Sequence, residues 1–154
     1  MVGGENIMNT LVDGLRVYLA SNFVLYLKTH AAHWNVKGMF FFELHRMFGE
    51  QYQDMWNVVD DIAEKIRQLD ADVTLTPQEQ QALSMIDTGQ LIMDGSGYCK
   101  VLLGDHNRMI MLLNKVFALA EAENNQAVMD FISARLDAHS KMRWFLKSTI
   151  DRAY

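Results

Sequence analysis

Two imidazoles and two carboxylates within one short stretch define the chemistry open to this chain. His33 and His45 stand twelve residues apart with Gly38 between them, and Asp60 and Glu64 follow at the four-residue spacing that puts two side chains on one flank of a helix. Imidazole nitrogen with carboxylate oxygen is a ligand set suited to Fe(II), and also to Zn(II) or Mn(II). A chain reversal near Gly38 lets the two imidazoles approach each other within one subunit, while Trp56 shares the flank of Asp60 and Glu64. The same residues have ordinary roles open to them. Asp60 and Glu64 also read as a solvated face, with Glu64 able to pair with Arg67 or Gln68. His33 also reads as a helix-end histidine near the negative end of the dipole, and His45, beside Arg46, as a surface residue.

The elements that must position these residues have helical periodicity. A single proline, Pro77, in 154 residues leaves long stretches without a helix breaker. Phe48, Tyr52, Met55, Val59, Ile62, Ile66 and Leu69 recur at alternating four- and three-residue intervals, a sustained apolar stripe. The patterns predict helices over about 9–37, 41–70, 96–122 and 126–151, with a break near Gly38 and a tight connection at Asn124-Asn125. Leu102, Met109, Leu113, Val116 and Ala120 line the third, and Ile132, Leu136, Leu146 and Ile150 the fourth. Between the second and third helices, Thr76-Pro77-Gln78-Glu79 is a capping box with proline at the first helical position, predicting a short extra helix to about Ile86. The stretch 87–97 that follows holds Gly89, Gly95 and Gly97 and reads as loop. Short, long and short connections specify an all-α, ferritin-like four-helix bundle whose long crossover carries the short helix, in one domain over 1–154.

Helical rise then constrains the chemistry. His45 and Asp60 are fifteen residues apart on one expected helix, which separates them by roughly 22 Å. They cannot share an ion within a single chain. If all four side chains are ligands, the histidines of one subunit must face the carboxylates of another across a two-fold axis. An intrasubunit di-iron site needs Glu-x-x-His on two helices. The residues three before His30, His33, His45, His106 and His139 are Leu27, His30, Phe42, Leu103 and Leu136, which disfavours that class.

Composition excludes other classes. A chain of 154 residues with 50% hydrophobic content buries a core without staples, and the lone Cys99 forms no internal disulfide, so a reducing compartment, the cytoplasm, is expected. The most apolar stretch, 17–27, contains Ser21 and Asn22 and is about half the length of a membrane span. Residues 1–9 carry Glu5 and no Lys or Arg, so neither the charged start of a signal peptide nor a basic nucleic-acid arm is expected.

From Thr29 to Leu69 the chain resembles the Dps proteins, ferritin-like mini-cages. His33-Trp34-Asn35-x-x-Gly38, then His45, then Asp60-x-x-x-Glu64 match their ferroxidase signature in residue type and spacing, and Trp144-Phe145 fits their last helix. The resemblance implies a homo-oligomer, a hollow dodecamer, in which Fe(II) binds between two-fold related subunits at a di-iron or single-iron centre. There it is oxidised, preferably by hydrogen peroxide, and stored as ferric mineral, which protects the cell from oxidative damage. His33 and His45 would be metal ligands from one subunit, and Asp60 and Glu64 from its neighbour.

One departure concerns the metal count. Many family members carry an aspartate one turn after the second histidine; here that position is Gly49, and Glu50 points about 100° away around the helix. This keeps open an alternative, a catalytically weak ferritin-like assembly that sequesters metal or protects DNA. DNA binding is not expected, because the first fifteen residues contain no basic residue and a net charge of -5 repels phosphate. Lys141, Arg143, Lys147 and Arg152 gather on the last helix, interrupted by Asp151. Glu121, Glu123, Asp130 and Asp137 lie near the junction of the third and fourth helices, where the family places its three-fold pores; a solvated corner is the other reading. Trp34 and Trp56 read either as sinks for stray oxidising equivalents or as interface packing.

Overall fold

Six helical segments carry the described residues, 8–73, 76–89 and 93–150 of a computed structural model. α1 (Leu11–Asn35) opens on a capping box: the Thr10 hydroxyl accepts from the Asp13 N–H and the Asp13 carboxylate accepts from the Thr10 N–H, both at 3.1 Å. It ends before Gly38, whose φ of +101° is a backbone conformation that side chains disfavour. α2 (Phe41–Asn57) then runs back along α1.

The helix expected over 41–70 is interrupted. Val58 separates α2 from α3 (Val59–Arg67). The cause lies on α1, where buried Asn22 donates from Nδ2 to the Met55 carbonyl at 2.8 Å. A carbonyl drawn aside by a side chain weakens the ladder bond that would take the Val59 N–H one turn on, while the Val58 N–H keeps the Asp54 carbonyl at 3.3 Å and also reaches that of Trp56. The path is kept, since the Ile62 N–H donates to the Val58 carbonyl at 3.0 Å. α3 closes at Arg67, short of 70, with Asp70 in the left-handed region at φ 59°.

α4 (Pro77–Leu83) has the expected capping box and N-terminal proline. It stops at Leu83 rather than Ile86 because Ser84 turns extended, its hydroxyl accepts from the Ile86 N–H, and the Met85 N–H donates to Ser21 Oγ at 3.0 Å, pinning the crossover to α1. α5 (Gly95–Ala122) is capped by Asp94, which accepts from the Gly97 N–H at 2.7 Å. Asn124, at φ 54°, reverses the chain into α6 (Gln126–Ile150). Residues 151–154, with the expected Asp151 and Arg152 end of that helix, lie outside the described residues.

α1, the α2–α3 rod, α5 and α6 form the bundle, and α4 packs on α1. The expected stripes face the interior: Phe48, Met55, Ile62 and Ile66 are fully buried, as are Met109, Leu113, Val116, Ala120, Ile132 and Leu146. Tyr52, Val59, Leu69, Leu136 and Ile150 sit at its edge. Cys99 is buried, which pushes its thiol up to about 11 and makes it inert. No described helix is long and apolar enough to cross a membrane.

Charged groups also tie the helices together. Arg135 on α6 grips Asp54 on α2 through both Nη atoms, at 2.5 and 3.2 Å, and donates from Nε to the Tyr18 hydroxyl on α1 at 3.2 Å. Burial pushes the Tyr18 phenol up to about 12, so it stays neutral. Removing Asp54 leaves a buried guanidinium with a phenol oxygen alone. Because Asp54 itself is partly exposed, Asp54→Ala is expected to destabilise the protein by about 2 kcal/mol, read from the urea midpoint at fixed protein concentration; an unchanged midpoint would show that water replaces the carboxylate.

Candidate metal centre

The Gly38 turn brings the last turn of α1 against the first turns of α2, and with it His33 against His45. The two rings stack with centroids 3.7 Å apart and planes 20° apart. Each ring is held by the other's backbone: His33 Nδ1 donates to the His45 carbonyl at 2.6 Å, and His45 Nδ1 donates to the His33 carbonyl at 2.7 Å. A carbonyl only accepts, so both Nδ1 atoms carry the proton, and in the neutral rings both Nε2 atoms present bare lone pairs. A backbone carbonyl on Nδ1 is the outer partner that orients an imidazole for binding metal through Nε2. One of the two carbonyls, that of His33, belongs to the last turn of α1 and has no helical acceptor role left, so the bond also caps that helix.

Gly49 explains how the rings fit. A Cβ built there would lie 3.2 Å from both Cε1 and Nδ1 of His33. The absent side chain thus makes room for the imidazole to lie on the α2 backbone and reach the His45 carbonyl. Sequence reasoning saw a missing ligand at this position and not this packing role.

Aromatic groups surround the pair. Tyr52 meets the His33 ring edge-on at 5.2 Å and stacks on His30 at 3.8 Å. His30 takes a hydrogen bond between its Nδ1 and the Tyr26 hydroxyl, 3.1 Å apart, and packs on Trp34 at 3.9 Å. Burial, and then the charge of His33, lower the His30 pKa. Trp56 closes on Tyr26 at 5.1 Å and Phe41 on His45 at 5.1 Å. Tyr26, His30 and Tyr52 were missed from the sequence; the available signal was the four-residue spacing of Tyr26, His30 and Trp34 along one face of α1.

The carboxylates lie elsewhere. Asp60 and Glu64 are exposed on α3, one turn apart, and neither carboxylate bonds another described residue. Arg67, the expected surface partner of Glu64, is taken by Asp72 and by the Ala71 carbonyl at 2.9 Å. Among the described residues no group of three or more His, Cys, Asp or Glu can hold a metal ion. One chain therefore brings His33 and His45 together and holds Asp60 and Glu64 apart from them. Trp34 and Trp56, 61% and 49% exposed, leave large apolar rings in solvent beside the imidazoles, as surfaces covered by a partner do.

Residues 12–153 match the family model of the ferritin-like domain. DNA protection during starvation protein 2 of Bacillus anthracis is 26% identical over 142 residues, which span 92% of this chain and 97% of that relative. The solved Dps of Thermosynechococcus elongatus shares the fold at a TM-score of 0.90 and 22% identity, over 93% of this chain and 91% of that one. This chain belongs to the Dps family of ferritin-like proteins. A further Dps structure, from Vibrio cholerae O1, matches at a TM-score of 0.87 and 26% identity over 92% of this chain and 89% of its own; that protein is described as a member of a broad superfamily of ferritin-like diiron-carboxylate proteins.

Within this Dps chain the fit of His33 beside Gly49 generates a prediction. Gly49→Val is expected to push the ring off the His45 carbonyl and weaken Zn(II) binding about tenfold, measured by calorimetry on the assembled protein. Unchanged affinity would show that the His33 orientation does not depend on this contact.

Proposed function

We propose that this protein stores iron and protects against oxidative damage by oxidising Fe(II) at sites shared between two-fold related subunits. His33 and His45 of one subunit supply the nitrogen donors, and Asp60 and Glu64 of the next supply the oxygen donors. The observation that carries this reading is the division of a complementary donor set. Two imidazoles locked with Nε2 free stand at one end of the α2–α3 rod, and two unpartnered carboxylates stand roughly 22 Å along it. Membership of the ferritin-like family supports iron as the metal. Imidazole nitrogen and carboxylate oxygen suit Fe(II), and carboxylates hold the product Fe(III) more strongly as its charge rises.

With hydrogen peroxide as oxidant, two Fe(II) ions give one electron each to the O–O bond, which breaks to two water-level oxygens, so no hydroxyl radical is released. The ferric product is stored inside a closed assembly, a dodecamer in this reading. Gly49 supplies no donor, which favours a second reading in which the assembly sequesters iron without rapid oxidation. Iron-dependent consumption of peroxide separates the two readings.

The shared site has a direct genetic test. His33→Ala/His45→Ala and Asp60→Ala/Glu64→Ala are each expected to abolish rapid Fe(II) oxidation. Co-assembled at equal amounts, the two variants form mixed pairs in which one of the two sites is intact, restoring about one quarter of wild-type sites under random pairing. Mixed assemblies verified by mass spectrometry that regain no oxidation at 310 nm would refute intersubunit ligation.

A further inference from the structure

The bundle interior holds a second polar assembly that the iron site does not use. His106 on α5 and His139 on α6 are fully buried, with their Nδ1 atoms 3.0 Å apart. Two amides lie at neighbouring levels of the bundle. Asn22 lies one turn beyond Tyr18, whose partner Arg135 lies one turn before His139. Gln51 donates to the carbonyl of Met142, less than a turn beyond His139, at 3.4 Å. The nitrogen of each amide is committed to a carbonyl, Met55 for Asn22 and Met142 for Gln51, so neither amide can flip. Asn22 Oδ1, Gln51 Oε1, His106 Nε2 and His139 Nε2 are all buried with no hydrogen-bond partner. Each of the four helices contributes one of these atoms.

Proton counting identifies the guest. Two neutral imidazoles carry two ring protons; one lies between the Nδ1 atoms, and the other must sit on Nε2 of the ring that accepts it. What remains is one N–H and three bare lone pairs, on the other Nε2 and the two amide oxygens. That set calls for a neutral donor of two hydrogen bonds. A divalent cation would be held by neutral atoms alone, because the charges His106 feels, Asp54 and Arg135, already bind each other. We propose that the His106–His139 pair, with Asn22 and Gln51 at neighbouring levels, is an internal site for ordered water that holds while both rings are neutral and opens the bundle when they take up protons.

The acid response follows from the surroundings. Tyr18 faces the cluster from α1, Asp54 from α2 and Arg135 from α6; on α5, Asp105 next to His106 is bound by Lys28 and Arg108. An added proton therefore meets Arg135 and the other imidazole, with Asp54 as the one carboxylate that opposes it. Burial holds His106 down to about 3, and holds His139 well below its ordinary value with help from His106 and Arg135. An unfolded chain binds these protons near pH 6.5, so the stabilisation is complete above that pH. It is lost as pH falls, by about tenfold in the unfolding constant per pH unit per imidazole.

Wild-type protein and His106→Gln/His139→Gln are compared by urea unfolding between pH 5.5 and pH 4. The wild-type unfolding constant is expected to rise about a thousandfold more than that of the variant; parallel pH profiles would overturn the proposal. Should the variant not fold, wild-type protein labelled with 15N-histidine gives an independent reading. At pH 5 the His106 and His139 rings are expected to remain neutral while the protein is folded; protonation of both rings in the folded protein would overturn it. A crystal structure at neutral pH is expected to show solvent within hydrogen-bond distance of the four orphaned atoms, and a dry or metal-filled cluster would equally refute it.

Discussion

Fifteen residues of helix hold His45 and Asp60 roughly 22 Å apart, and the α2–α3 rod has no bend that brings them together. The interruption at Val58 is local and not a reversal, because the Ile62 N–H still reaches the Val58 carbonyl. The reversal that does occur, at Gly38, returns α2 along α1 and sets His33 beside His45. The same rigid rise that builds the imidazole pair therefore withholds the carboxylates from it. Exposure of Trp34 and Trp56 around the imidazoles fits a face that works against a second subunit.

Orientation inside the imidazole pair comes from the backbone and not from an acidic side chain. Each ring is fixed by the backbone carbonyl of the other residue, so neither can turn without releasing its own bond. Gly49 is part of that lock, since its missing Cβ is the space the His33 ring occupies. A position that offers no side chain thus still shapes the imidazoles nearby. Elsewhere the bundle accepts buried polar groups where they bridge helices, as Arg135 does between α1, α2 and α6.

Much of this was legible in the sequence because it depends on local spacing. The stripe from Phe48 to Ile66 is set by a period that residues within a few positions determine, and the Thr76 to Glu79 capping box needs only its own four residues. The approach of His33 to His45 followed from a single turn. What escaped depends on partners remote in sequence. The break at Val58 originates in Asn22, 33 residues before Met55, and the early end of α4 in Ser21, 64 residues before Met85. His106 and His139 carry no local mark of their pairing, because it exists only where α5 and α6 pack. Asp60 and Glu64 were legible as two carboxylates one turn apart, while the partners proposed for them lie on another copy of the chain.

The central claim is that the oxidation site does not exist in one subunit. Its most direct test is the rate of Fe(II) oxidation per subunit as the protein is diluted through dissociation, with assembly followed in parallel by light scattering. The account predicts that the specific rate falls with the assembled fraction and vanishes for isolated subunits. A specific rate that stays constant as folded subunits separate would contradict it.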